Sequence, residues 1–259
     1  MTRKAILIES SNVKDHHDLP GARLDVENWK NFLKSDLGGD WLDSEIVTLS
    51  KPWPSQVEAE LKMAADCYCF LAFSGHGCDG SVVLNDSYTE FSIANLKPKS
   101  DRGTLIVDAC RSVADPVALR ANIKVAMANE AITKSIALEA FQGRTVVLAS
   151  QPQASEIINR MTRGIGPRVY WDKVVQGSTI GTVEMLACSK GEAAGEDASA
   201  GGYYTSLLLQ SAQVWNNHTS APASHSTRDA HNYAVANLPP QQRPEYSPSW
   251  LSFPFAVKA

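Results

Sequence analysis

Residues 67–77 run CYCFLAFSGHG, and residues 104–112 run TLIVDACRS. Each is an apolar run that ends in a reactive side chain: His76 between two glycines, and Cys110 after an aspartate and an alanine. Runs apolar on both faces suit the strands of a parallel sheet that is covered on both sides. In an open parallel sheet, ligands gather beyond the carboxyl ends of the strands. If these two strands are neighbours, His76 and Cys110 stand side by side at that edge. The glycines flanking His76 let the backbone turn sharply and approach a substrate closely.

Outward from this pair the chain alternates strand and helix. Residues 4–9 form a short buried strand, and the breaker at Leu19 to Gly21 precedes a helix over 22–37. Val26, Trp29, Phe32 and Leu33 recur in that helix at helical spacing, and Gly38 and Gly39 end it. Residues 45–49 are a second strand, and Pro52 and Pro54 open a second helix that ends near 65. Residues 81–91 are a hairpin excursion around Asn85 and Asp86. This rhythm predicts an α/β fold, a mainly parallel sheet with helices on both faces in a three-layer sandwich.

The later chain is less regular. It offers a helix over 131–141, strands over 145–149 and 182–188, and a helix over 203–214. Residues 159–168 (NRMTRGIGPR) have the composition of an exposed basic loop, carrying Arg160, Arg163 and Arg168. From about 216 the composition shifts to Ser, Pro, Asn, His and Gln, and residues 220–229 (SAPASHSTRD) look solvated. The final WLSFPFAV is apolar again and is expected to dock back on the core. The expected organisation is one α/β domain over 1–215 and a C-terminal extension over 216–259. Within the domain, a larger part over 1–158 and a smaller part over 169–215 flank the basic loop.

The whole has 259 residues with 44% hydrophobic and 20% charged, an ordinary globular balance. A net charge of -4 with no Lys/Arg run argues against nucleic acid as a partner. The first apolar run spans about five residues, too short for a signal core, and no stretch reaches the roughly 18 needed to span a bilayer. A cytoplasmic protein with no membrane partner is the expectation. Five widely spaced cysteines, an odd number, suit free thiols in a reducing compartment. Cys67 and Cys69 share a strand face within an apolar run, so packing accounts for them.

A cysteine beside a histidine is the minimum for thiol nucleophilic catalysis. The imidazole favours the thiolate and then protonates the leaving amine. Backbone N–H groups, those of Gly77 and Cys110, are placed to stabilise a tetrahedral oxyanion. Taken singly, each residue has a plainer reading, as a buried core thiol or a solvated loop histidine. Both motifs at the ends of apolar strands outweigh it.

SGHG after one hydrophobic strand and DAC after the next resemble the caspase/metacaspase family of cysteine peptidases. The Asp before Ala-Cys resembles metacaspases, and Arg111 after it resembles caspases. Residues 19–25 (LPGARLD) resemble the element that opens the first helix in metacaspases. Residues 187–197 (ACSKGEAAGED) and 201–206 (GGYYTS) resemble the start of the family's small subunit. The resemblance implies a His76–Cys110 dyad and a primary pocket lined by Asp25, Ser74 and Asp108. Such an acidic pocket takes Arg, with Lys second, through charge-assisted bonds. The plainer reading has Asp25 bracing its helix and Asp108 bonding a backbone N–H.

The resemblance further implies a protein or peptide substrate with a basic P1 residue. It implies maturation by self-cleavage or an activating protease after Arg160, Arg163 or Arg168, and control by a regulatory protein in bacterial defence or cell death. No cofactor is implied, although some metacaspases bind calcium; Glu192, Glu196 and Asp197 are the acids placed for that, or for the acidic pocket. Arg111 reads either as an anion binder or as a solvent-facing side chain. His16 and His17 between two aspartates lack the spacing of a metal site and read as loop. Residues 113–181 hold two strand candidates where the family pattern has one.

Three rival readings remain. A silent caspase-like scaffold would be expected to have lost His76 or Cys110. A serine hydrolase using Ser74 or Ser112 lacks the G-x-S-x-G elbow. A nucleotide binder lacks both the P-loop and G-x-G-x-x-G.

Overall fold

Strand and helix alternate through the first hundred residues of the computed structural model, which describes residues 1–14, 16–111, 166–218 and 220–258. The order is β1 (Arg3–Ser10), α1 (Pro20–Lys34), β2 (Ile46–Ser50), α2 (Pro54–Met63) and β3 (Tyr68–Gly75). An antiparallel excursion follows: β4 (Gly77–Cys78), β5 (Ser81–Val83) and β6 (Glu90–Ser92). Short α3 (Ile93–Leu96) then leads into β7 (Arg102–Ala109). The later elements are α4 (Pro167–Gln176), β8 (Gly181–Leu186), and the two-residue strands β9 (Glu196–Asp197) and β10 (Gly201–Gly202). After them come α5 (Tyr203–Asn216), β11 (Ser224–Ser226), α6 (Thr227–Asn237), β12 (Glu245–Ser247) and β13 (Pro254–Val257).

Six strands form the main sheet in the order β2-β1-β3-β7-β8-β12. All neighbours are parallel except β12, which runs antiparallel on the edge of β8. Because side chains alternate along a strand, the sheet feeds two cores. Ala5, Leu7, Phe70, Ala72 and Ile106 face a layer built from α1, α4, α5 and α6. Ile6, Ile8, Leu71, Phe73 and Val107 face α2, α3 and the β5–β6 hairpin. The expected apolar stripe of α1 is buried, with Trp29 against Phe70 at 5.2 Å. No helix among the described residues is long and apolar enough to cross a membrane.

A buried arginine ties β1 to α4 and to the turn at Gly39 to Trp41. The Arg3 guanidinium lies over Trp41 and Trp171 at 5.2 and 5.9 Å. It donates to Asp172 at 2.7 Å and to the carbonyls of Gly39 and Arg168 at 2.6 Å each.

Two local expectations need correction. Arg168 is not in an exposed loop. Pro167 opens α4, and the Arg168 side chain is held by Glu45 and by the Asp40 carbonyl at 3.0 Å. The segment 220–229 is not merely solvated. It contains β11 and the start of α6, where Ser226 and Asp229 form a reciprocal cap, and His225 and Thr227 are buried. At the C-terminus, Phe253 and Phe255 are buried, and Phe255 stacks on Phe32 at 5.2 Å. Arg160, Arg163 and the expected elements over 131–141 and 145–149 lie outside the described residues.

Candidate active site

The backbone register of β3 and β7 pairs Ser74 with Asp108 and Gly75 with Ala109. His76 and Cys110 are the next residue on each strand, so they emerge together from the carboxyl edge of the sheet. Both are buried, His76 at 4% and Cys110 at 1% exposure. Gly77 is pressed against the second strand; a Cβ there would lie 2.6 Å from the Cys110 carbonyl oxygen. Glycine is what lets the histidine loop sit this close to the cysteine.

The imidazole is oriented by backbone. Nε2 of His76 lies 3.0 Å from the carbonyl oxygen of His17. A carbonyl only accepts, so Nε2 carries the proton and Nδ1 is left as the basic nitrogen. This contact was not foreseen, because a main-chain oxygen has no signature in the sequence.

Around Cys110 closes a strap over residues 188–197. Its thiol accepts the Ala194 N–H at 3.3 Å and lies 3.7 Å from the Ala194 carbonyl. The strap is fastened from the C-terminal segment. Gln242 accepts the Gly195 N–H and donates to the Ala187 carbonyl, both at 3.0 Å. Glu192 holds the Arg243 side chain and its N–H, and the Glu192 carbonyl accepts the Arg111 N–H at 2.9 Å. The Arg111 side chain does not point into solvent. It braces the strap, bonding the Cys188 carbonyl at 3.1 Å and Glu245.

Beside the dyad lies a small cleft whose walls include Ser74, Asp108, Ala194, Glu196 and Gly202. Asp25, fully buried, accepts the Ser74 hydroxyl at 2.5 Å and the Gly202 N–H at 2.9 Å. Burial, then the nearby Asp108 carboxylate, holds the Asp25 carboxyl well above the usual range. Asp108 accepts the Thr205 N–H at 3.0 Å and its hydroxyl at 2.9 Å. Asp25, Ser74 and Asp108 are therefore brought together, but only Ser74 and Asp108 line the cleft, with Glu196 as a further acid.

The caspase-domain model of peptidase family C14 matches residues 2–255. The chain belongs to the caspase-domain peptidases. Its fold is similar to that of the crystal structure of caspase-1 from Spodoptera frugiperda. The match covers 99% of this chain and 93% of that chain at a TM-score of 0.57 and 11% identity, which speaks for the fold alone. Among curated proteins, no sequence match is found. The family resemblance thus holds, and with it a cysteine peptidase domain, a hydrolase of the caspase kind.

Two further thiols of this caspase domain, Cys69 and Cys188, are fully buried. Burial pushes Cys69 up to about 12 and Cys188 higher still, which makes both packing groups. The three strap acids do not converge: Glu192 is held by Arg243, Asp197 bonds Ser199 at 2.8 Å, and Glu196 turns to the cleft. Among the described residues no group of three or more His, Cys, Asp or Glu is arranged to hold a metal ion.

Proposed function

We propose that this caspase-domain chain is an endopeptidase with a His76–Cys110 dyad that cleaves after Arg, with Lys second. The observation that supports it most is the Gly75–Ala109 register, beside a cleft walled by Asp108 and Glu196. His76 Nδ1 takes the thiol proton, and the Cys110 sulfur attacks the scissile carbonyl carbon. The N–H groups of Gly77 and Cys110 receive the oxyanion, and the imidazolium returns its proton to the leaving amine. Water then hydrolyses the thioester with the same imidazole as base. A guanidinium entering the cleft meets Asp108 and Glu196, and its charge favours ionisation of Asp25 behind them.

The reading includes control. Ala194 sits on the thiol, so productive binding requires the strap to shift. Cleavage after Arg160 or Arg163, by the chain itself or an activating protease, or docking of a regulatory protein are the candidate triggers; Arg168, whose side chain is held in α4, suits such a cut less well. A reducing cytoplasm and a part in bacterial defence or cell death complete the proposal. The covered thiol equally fits a catalytically silent scaffold.

The test is cleavage of fluorogenic peptides ending in Arg, Lys or Asp, by wild type and Cys110→Ala, with calcium and with chelator. Cleavage after Arg that vanishes in the variant is the expected result, and any difference between the two media reports calcium dependence. Cleavage after Asp overturns the acidic pocket. Silence of wild type and of a strap-loosened Arg243→Ala chain favours the scaffold.

A further inference from the structure

His76 is bordered by aromatic side chains that the catalytic scheme does not use. The His16 ring lies 5.0 Å from His76, and Tyr88 stacks on His16 at 5.0 Å and 12°. The His17 ring meets His76 edge-on at 5.3 Å. His16 is exposed, and Tyr88 is 42% exposed at the tip of the β5–β6 hairpin.

Tyr88 is held there against its own preference. Its φ of +52° is in the left-handed region, where a bulky side chain is a genuine outlier. Buried Asn85 fixes the turn. Its carbonyl accepts the Tyr88 N–H at 2.9 Å, and Oδ1 accepts the Ser87 N–H and the Thr89 hydroxyl at 3.0 Å each. Its Nδ2 donates to the Pro52 carbonyl at 3.1 Å. Backbone strain of this kind clusters at ligand clamps. Here it presents an exposed aromatic ring beside the general base.

The leaving amine takes its proton from His76, so the part of a substrate C-terminal to the scissile bond departs past the imidazole. We propose that Tyr88 and His16 form an aromatic shelf that selects a planar side chain at the second position after the scissile bond, P2′. This rests on the His76–Cys110 reading above. The Tyr88 ring lies no more than about 10 Å from His76 through the two ring steps. An extended chain advances roughly 3.3 Å per residue, so a P2′ side chain reaches that distance while P1′ points to the other side.

The experiment uses internally quenched peptides with Arg at P1 and either Phe or Ala at P2′. Wild type is expected to favour Phe in kcat/KM by about 2- to 10-fold, the range of one aromatic pair. Tyr88→Ala brings the ratio to one, and Tyr88→Phe keeps it. A wild-type ratio of one, or a preference that survives Tyr88→Ala, overturns the shelf. Cutting that survives Cys110→Ala, or no cutting of either peptide by wild type and by the Arg243→Ala chain, counts against the dyad instead. The shelf is then decided by anisotropy of the two labelled peptides on Cys110→Ala protein, where equal affinities overturn it.

Discussion

Two regions meet at Cys110 and are built in different ways. The sheet edge sets His76 and Cys110 through backbone pairing of β3 with β7, so their neighbourhood follows from the register alone. The strap over 188–197 is set by side chains reaching from far along the chain: Gln242, Arg243 and, through Arg111, Glu245. Ladder hydrogen bonds inside a core open only with large-scale unfolding, whereas an exposed ion pair contributes little. The difference separates what is permanent in this site from what can be moved.

The largest effect is expected where the sheet edge acts. Cys110→Ala and His76→Ala should each lower peptide cleavage by a factor on the order of 10³ or more, with circular dichroism unchanged. Residual activity above that level would move the chemistry off this edge. Next comes the cleft wall. Asp108→Asn is expected to cost about 10²-fold in kcat/KM on Arg peptides, the usual penalty for removing a buried charge partner. An equal loss on peptides with an uncharged P1 residue would make Asp108 a structural brace.

The strap gives a smaller, opposite effect. Arg243→Ala should speed alkylation of Cys110 by iodoacetamide about 2- to 5-fold, since only an exposed contact to Glu192 is lost. If the rate does not change, the strap belongs with the rigid region. The smallest effect concerns the layer behind the cleft, where buried His231 bonds the Tyr204 hydroxyl at 2.8 Å. Burial lowers His231 from 6.5 to about 4. Between those values the unfolded chain binds a proton that the folded chain refuses, so stability falls as pH drops from 6.5 towards 4. Melting curves across that window should flatten in His231→Gln.

The same division governs what the sequence discloses. The strands that end at His76 and Cys110 are continuous apolar runs, and the stripe of Val26, Trp29, Phe32 and Leu33 is periodic, so local pattern carries them. Asp25, Ser74 and Asp108 were legible through their motifs, although burial at Asp25 was not. α4 escaped because Arg and Gly precede Pro167, and α6 because Ser, His and Asn mask its short apolar face. The Glu192–Arg243 and Gln242–Gly195 contacts join residues about fifty positions apart, where no local period exists. The His17 carbonyl that orients the imidazole is main chain, which every residue shares.

One further consequence lies in the Arg3 sandwich and the β7–β8 pairing. Residues on either side of 112–165 are joined by the register from Arg102–Gly181 to Val107–Leu186 and by the Arg3–Asp172 bond. A single cut in that interval changes connectivity and leaves these joints intact. It also changes the order of the folding reaction from one molecule to two. The stability of the nicked protein then depends on its concentration, and dilution becomes a denaturant for it where it is none for the intact chain.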